Sequence, residues 1–238
     1  MDTEPKNLIF DADDTLWQNN VYFIEATEAF LDAMEAHHLD RSVVRRELAA
    51  AEAIAVKRYG YGTEGFTTCL VETAKSLAPE ISEQALEDIR ALGRAISGRE
   101  TLELLPGVEA ALEHLSGHHR LFLLTKGEDR EQRGKLERST LGRFFCDVEV
   151  VREKDVEAYR SLIKRLQLET DHTWMIGNSP RSDINPALAA GLNAVLIPHP
   201  QTWELELEEI EHPGSKRLAI VDSFTDLIDL FISPAGPG

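Results

Sequence analysis

The sequence predicts an α/β protein with a doubly wound parallel sheet and a helical segment inserted after the first strand. Short apolar segments rich in Val, Ile, Leu and Phe recur without alternating polar residues, as in strands that are covered on both faces. Segments with helical spacing separate these strands. One long block, from about residue 21 to residue 99, contains helical patterns alone.

The predicted strands and helices alternate in chain order. The apolar segments predict strands at 7–11, 120–125, 147–151, 174–178, 194–198 and 218–222. Apolar residues at helical spacing predict helices at 108–115, 130–141, 156–166, 184–190 and 225–231. Repeated strand–helix succession is typical of a Rossmann-like sheet, in which ligands bind at the carboxyl ends of the strands.

The block without strands is predicted to be a separate helical domain. Its Ala-, Glu- and Leu-rich segments predict helices at 24–37, 42–58, 67–77 and 82–96. We therefore expect residues 1–17 and 101–238 to form the Rossmann-like core and residues 18–100 to form the insertion. The acidic stretch 203–211 is predicted to be a solvated surface segment.

The composition excludes several classes of function. The formal net charge is −17, and the chain lacks the clustered Lys and Arg on which nucleic-acid binding depends. No apolar run approaches membrane-spanning length, and the polar N-terminus lacks the pattern of a signal peptide. We therefore expect a cytoplasmic protein that binds neither nucleic acid nor a membrane. Cys69 and Cys146 lie far apart in apolar surroundings, and both are expected to be buried and reduced.

The first predicted strand ends in a cluster of acidic side chains, Asp11, Asp13 and Asp14, followed by Thr15. Burying carboxylates this close together is costly unless a cation or a proton neutralises them. Oxygen ligands suit Mg²⁺, which can also neutralise a phosphoryl group while one carboxylate attacks phosphorus and another exchanges a proton. We therefore expect Mg²⁺ as the cofactor and a small phosphorylated compound as the substrate.

Polar residues also follow other predicted strands. Thr125 offers a hydroxyl to a phosphoryl oxygen, and Lys154 offers a positive charge. Asp183 can complete the metal shell, with Asn178 as an outer-shell or amide-oxygen ligand. Each residue alone is also typical of a turn, a helix cap or a solvated surface, so the prediction depends on their meeting beside Asp11.

These segments, in this order, resemble the haloacid dehalogenase superfamily, most of whose members are magnesium-dependent phosphatases. Residues 11–16 match the first motif, DxDxT, and Thr125, Lys154 and residues 178–183 match the second, third and fourth motifs. The helical insertion corresponds to the cap of subclass I members.

The resemblance implies a role for each aspartate of the first motif. Asp11 corresponds to the nucleophile, and Asp13 to the general acid and base, whose backbone carbonyl would be a metal ligand. Asp13 argues against haloacid dehalogenase chemistry, because dehalogenases of the family lack the second aspartate and need no metal. The fourth motif usually begins Gly-Asp, and Asn178 therefore removes one negative charge from the metal shell.

Five further residues are weaker candidates for substrate contacts. They lie near the predicted site, near a hinge or in a glycine-rich loop of the insertion, and are Lys126, Arg181, Trp17, Asn20 and Tyr61. Three alternatives remain: a dehalogenase-like hydrolase acting at carbon, a phospho-acceptor domain resembling a response-regulator receiver, and a catalytically silent phospho-ligand-binding protein. A monomer or a homodimer is expected.

Overall fold

The computed structural model describes residues 4–212 and 214–232. The chain divides into two compact units: one runs to Gln18 and resumes at Leu102, and the other is Asn19–Thr101. Each junction lies one residue beyond the predicted boundary. Over the described residues, no helix has both the length and the apolar character needed to cross a membrane.

The unit that contains the N-terminal strand is built on a parallel sheet. Its strands in the described part of the chain are β1 (Asn7–Phe10), β2 (Arg120–Lys126), β3 (Asp147–Val151), β4 (Thr173–Gly177), β5 (Asn193–Leu196) and β6 (Leu218–Ile220). They pair in the order β3-β2-β1-β4-β5-β6, and every pair is parallel. The strand order reverses direction at β1 and β4, and sheets of this kind bind ligands at such a switch point. The predicted fold class is confirmed.

The Asn19–Thr101 unit is helical. Its helices are α1 (Asn20–Ala36), α2 (Arg41–Tyr59), α3 (Thr63–Leu77) and α4 (Glu83–Ser97). They enclose a core that includes Phe30, Leu70 and Ile89. The α2 helix is capped by Asp40, whose carboxylate accepts hydrogen bonds from the backbone N–H groups of the first turn. Both α1 and α3 begin four residues earlier than the apolar periodicity predicts.

Helices cover both faces of the sheet. They are α5 (Val108–Ser116), α6 (Asp129–Ser139), α7 (Val156–Leu166), α8 (Asn185–Ala189) and α9 (Phe224–Ile232). In β1, Leu8 and Phe10 pack in one cluster with Leu112 of α5, whereas Ile9 packs in another with Leu162 of α7. Because both faces of the strand are buried, its sequence does not alternate.

Two segments of the sheet-containing unit are hydrogen-bonded to each other. They lie where the chain enters the helical unit and where it returns. The Leu105 N–H donates to the Leu16 carbonyl at 3.0 Å, and the Gln18 N–H donates to the Glu103 carbonyl at 2.8 Å. Residues 16–18 and 103–105 therefore form a short antiparallel ribbon.

The prediction that both cysteines are buried is correct for Cys69 and wrong for Cys146, which is exposed. Cys146 directly precedes β3, which is an edge strand of the sheet. An edge strand has less of its surface covered than the central strands, and the apolar neighbours of Cys146 in sequence did not show this.

Candidate active site

Asp11 lies directly after β1, at the switch point of the sheet. Its N–H donates to the Ile176 carbonyl at 2.9 Å, which continues the pairing with β4 and fixes the backbone of Asp11. Its side chain is buried, with Oδ2 accepting a hydrogen bond from Thr15 Oγ1 at 2.8 Å. Its Oδ1 is paired with the ammonium group of Lys154. The carboxylate is therefore held from both sides.

Lys154 links Asp11 to Asp183. Its Nζ donates to Asp183 Oδ1 at 2.8 Å, and all three side chains are less than a tenth exposed. Burial alone lowers the pKa of Lys154, but the two carboxylates outweigh burial and the pKa is raised. Burial raises the pKa of Asp183, as does the nearby charge of Asp11, although Lys154 opposes the shift. The residues that the sequence placed at separate strand ends lie together here.

Asp183 sits in a tight loop after β4 that forms a single π-helical turn, Pro180–Ile184. Its Oδ2 accepts a hydrogen bond from the Ser179 N–H at 2.9 Å. A Cβ atom added to Gly177 would lie 2.2 Å from the same oxygen, so only glycine fits at the end of β4. The predicted helix at 184–190 did not include this turn, which is of a type often found at functional sites.

Asn178 contacts Thr15 at one end of its side-chain amide and Thr202 at the other end. Its Oδ1 is 3.3 Å from Thr15 Oγ1, and its Nδ2 donates to Thr202 Oγ1 at 3.0 Å. The side chain is buried. Thr202 was not identified from the sequence.

Asp13 is held by three donors, of which Lys135 and Gln132 were not indicated by the sequence and Trp17 was predicted as a substrate contact. Lys135 Nζ lies 2.9 and 2.8 Å from the two carboxylate oxygens, and Gln132 Nε2 donates at 3.0 Å. Trp17 Nε1 donates at 2.8 Å. Burial alone raises the pKa of the Asp13 carboxyl, but the Lys135 charge and the donated hydrogen bonds outweigh burial, so the pKa is lowered. These contacts therefore favour the ionised form of Asp13.

Gln132 also connects Asp13 to Thr125. The buried Thr125 hydroxyl donates to Gln132 Oε1 at 3.4 Å, while the amide nitrogen of the same side chain reaches Asp13. Gln132 and Lys135 are three residues apart on α6, so they share one face of the helix. Their spacing was visible in the sequence, but nothing in it showed that this face meets Asp13.

Lys126 lies in a buried network with Glu206. Its Nζ is 2.6 Å from Glu206 Oε1 and 2.7 Å from Ser182 Oγ. Glu206 Oε2 also accepts hydrogen bonds from Ser179 and Ser182 at 2.7 and 2.6 Å. The prediction that 203–211 is a solvated segment is therefore wrong at Glu206, which is buried because Lys126 neutralises it. No local sequence pattern indicated this contact.

The other weak substrate candidates lie in different surroundings. Arg181 donates to the Leu205 carbonyl at 2.8 Å, and Trp17 is fully buried beside Asp13. Asn20 begins α1, and Tyr61 lies in the turn between α2 and α3, both in the helical unit. Substrate contact by any of these residues, or by Lys126, stays a prediction.

The oxygen atoms around Asp11 fit a magnesium ion. No cluster of three or more His, Cys, Asp or Glu side chains suited to a metal occurs within residues 4–212 and 214–232. Two carboxylates, Asp11 and Asp183, and the amide oxygen of Asn178 could supply ligands, and the family resemblance implies the Asp13 backbone carbonyl as a further neutral ligand. Mg²⁺ commonly binds through one or two carboxylates and completes its shell with water and substrate phosphate, so this donor set is sufficient.

Comparisons with known proteins find similar sequences and similar folds. The family model of haloacid dehalogenase-like hydrolases matches residues 5–191. A haloacid dehalogenase-like family hydrolase from Xanthomonas campestris is 32% identical, with a TM-score of 0.81 over 93% of this chain and 88% of that one. A phosphoglycolate phosphatase from Rhodospirillum rubrum is 27% identical over 98% of this chain and 94% of its own length. The L-2-haloacid dehalogenase from Xanthobacter autotrophicus, 16% identical, shares the fold with a TM-score of 0.61 over 97% of this chain and 100% of its own.

Proposed function

Because the chain belongs to the haloacid dehalogenase-like hydrolases, we propose that it is a magnesium-dependent phosphatase of a small phosphorylated metabolite. The activity named for the Rhodospirillum rubrum relative supports phosphoryl chemistry. The proposal rests on one observation: the buried Asp11 carboxylate is paired with Lys154 beside Asp183, at the switch point of the sheet.

In this proposal Asp11 is the nucleophile. One of its oxygens bonds to phosphorus while the bond to the leaving alcohol breaks, and Asp13, in its protonated form, gives its proton to the alcohol oxygen and becomes ionised. Water then attacks the phosphorus of the phosphorylated Asp11, and Asp13 accepts the water proton as phosphate leaves. The lowered pKa of Asp13 favours its ionised form, which the second step requires.

Other side chains hold the phosphoryl group. The Lys154 charge and the Thr125 hydroxyl are suited to bind phosphoryl oxygens as negative charge develops on them. Asp11, Asp183, Asn178 and the Asp13 backbone carbonyl would hold Mg²⁺, which when bound neutralises charge on the same oxygens.

The substitution Asp11→Asn tests the nucleophile, with Asp14→Asn as its matched control. Asp14 is a buried carboxylate of the same turn, and its φ of 58° suits Asn well. Hydrolysis of a generic aryl phosphate with Mg²⁺ is expected to fall about 10³-fold or more in Asp11→Asn. Asp14→Asn is expected to stay near the wild-type rate.

The same assays separate the alternatives. Retained activity in Asp11→Asn, with an unchanged circular dichroism spectrum, contradicts the proposal. Chloride release from 2-haloacids in the presence of a chelator favours a hydrolase acting at carbon. A stable phosphoprotein after acetyl phosphate treatment favours a phospho-acceptor domain, and no turnover with or without Mg²⁺ favours a binding protein.

A further inference from the structure

Asn178 differs from an aspartate in having two unlike ends. An aspartate presents oxygen on both sides, whereas an asparagine presents one oxygen and one NH₂ group, and only the oxygen can bind a cation. The orientation of the Asn178 amide therefore decides whether it can take part in a magnesium site. Something in the protein must fix that orientation.

Thr202 fixes it through the position of its own hydroxyl hydrogen. Thr202 Oγ1 lies 2.9 Å from the His199 carbonyl oxygen, which can only accept, so the hydroxyl donates there. The Thr202 N–H donates to the same carbonyl at 3.1 Å and holds the residue in place. Oγ1 is left with lone pairs alone, so the Asn178 atom 3.0 Å away must be the donor, Nδ2.

The opposite end of the amide faces Asp11. Asn178 Oδ1 lies 3.3 Å from Thr15 Oγ1, whose one hydroxyl hydrogen can be donated either to this oxygen or to Asp11 Oδ2 at 2.8 Å. We propose that Thr202 is a positioning residue that turns the Asn178 amide so that its oxygen faces the magnesium site. This inference rests on the proposed function. Thr202 lies beyond residues 5–191, the part that the family model matches.

Calorimetric titration of MgCl₂ into the full-length protein, without substrate, tests the inference. Thr202→Val keeps the shape of the side chain and removes the acceptor, whereas Thr202→Ser keeps the acceptor. Loss of an outer partner of a metal ligand typically weakens binding by about 10- to 100-fold. We expect the magnesium Kd of Thr202→Val to rise about tenfold or more, and that of Thr202→Ser to stay near wild type.

A second pair of variants separates orientation from general structural support. In Asn178→Asp both ends of the side chain are oxygen, so orientation no longer matters. Adding Thr202→Val to Asn178→Asp is therefore expected to leave the magnesium Kd nearly unchanged. Thermal melting of each variant checks that the fold is intact.

Several results would overturn the inference. Wild-type and Thr202→Val proteins that bind Mg²⁺ equally tightly show that Thr202 does not orient Asn178. Equal weakening by Thr202→Val in both backgrounds shows that Thr202 supports the fold alone. A wild-type protein that does not bind Mg²⁺ contradicts the magnesium dependence of the proposed function itself, and the inference falls with it.

Discussion

Single lysines balance the buried carboxylates at the end of the sheet. Lys154 contacts both Asp11 and Asp183, Lys135 contacts Asp13, and Lys126 contacts Glu206. Removing one member of a buried ion pair in general costs more than the pair contributes, because the remaining charge keeps its desolvation penalty. Positive charges thus lie beside the acids at this end of the sheet, in a chain whose net charge is −17.

Glu52 of α2 differs, because burial raises the pKa of its carboxyl from the ordinary value of 4.5 to about 7. The unfolded chain releases this proton near pH 4.5, and the folded chain holds it to about pH 7. Ionisation therefore favours the unfolded state, and stability falls as the pH rises through this window. Glu52→Gln is expected to raise the Tm at pH 8, with little difference from wild type at pH 4.5.

Thermal melting of Glu80→Gln provides the control, because Glu80 is exposed in the same helical unit. Glu80→Gln removes one negative charge, as Glu52→Gln does, but the carboxylate that it removes is not a buried one. A Tm difference between Glu52→Gln and wild type that does not grow with pH, or that Glu80→Gln matches, would contradict the prediction.

Site residues that directly follow a strand could be predicted from the sequence. Residues of helices and loops that contact them could not. Asp11 and Asn178 could be predicted because an apolar segment ends directly before each of them. Lys135 and Thr202 could not, because their roles depend on which helix or loop packs over the carboxyl end of the sheet. That packing is a property of the tertiary structure, not of local sequence pattern.

Among the structural elements, the turn at Glu204–Glu206 is hydrogen-bonded to the loop that carries Asp183. Glu206 joins this turn to Lys126 at the end of β2, to Ser179 directly before the π-helical turn and to Ser182 within it. One carboxylate therefore ties three separate chain segments together.

Glu206→Gln is expected to lower the free energy of unfolding by about 2 kcal/mol, because it removes the carboxylate charge that lies 2.6 Å from Lys126 Nζ in a largely buried network. Urea denaturation measures the loss. Glu204→Gln, two residues away and exposed, is the matched control and should change the free energy by less than about 0.5 kcal/mol. Adding Lys126→Met to Glu206→Gln should recover part of the loss. Equal effects of Glu206→Gln and Glu204→Gln would show that the network does not stabilise the fold.

The strands were predictable as elements because buried parallel strands are continuous apolar segments. The π-helical turn was not, since Pro180 and the polar residues after it resemble an ordinary loop. Its geometry comes from Asp183 bonding back to Ser179 and lying against Gly177, contacts between residues that carry no periodic pattern.

For the whole molecule, salt and magnesium act on stability in different ways. Any salt screens the mutual repulsion of a chain with net charge −17. A site that binds Mg²⁺ only in the folded state adds about 2.7 kcal/mol when magnesium is at a hundred times its Kd. MgCl₂ is therefore expected to raise the Tm several degrees more than NaCl at equal ionic strength.

The magnesium-specific part of this shift should disappear in Asp183→Asn. It should persist in Asp88→Asn, which removes an exposed carboxylate of α4. Differential scanning calorimetry measures both variants. Equal shifts with the two salts in the wild-type protein would mean that screening alone stabilises it.

The paired segments 16–18 and 103–105 have a consequence for how this protein could change over evolution. The two ends of the Asn19–Thr101 unit emerge side by side from a ribbon already closed by hydrogen bonds. If the inserted segment becomes longer or shorter, the entropy cost of bringing its two ends together changes only with the logarithm of its length. The ribbon can thus accept a different module, or a bare turn, while the sheet beneath it stays as it is.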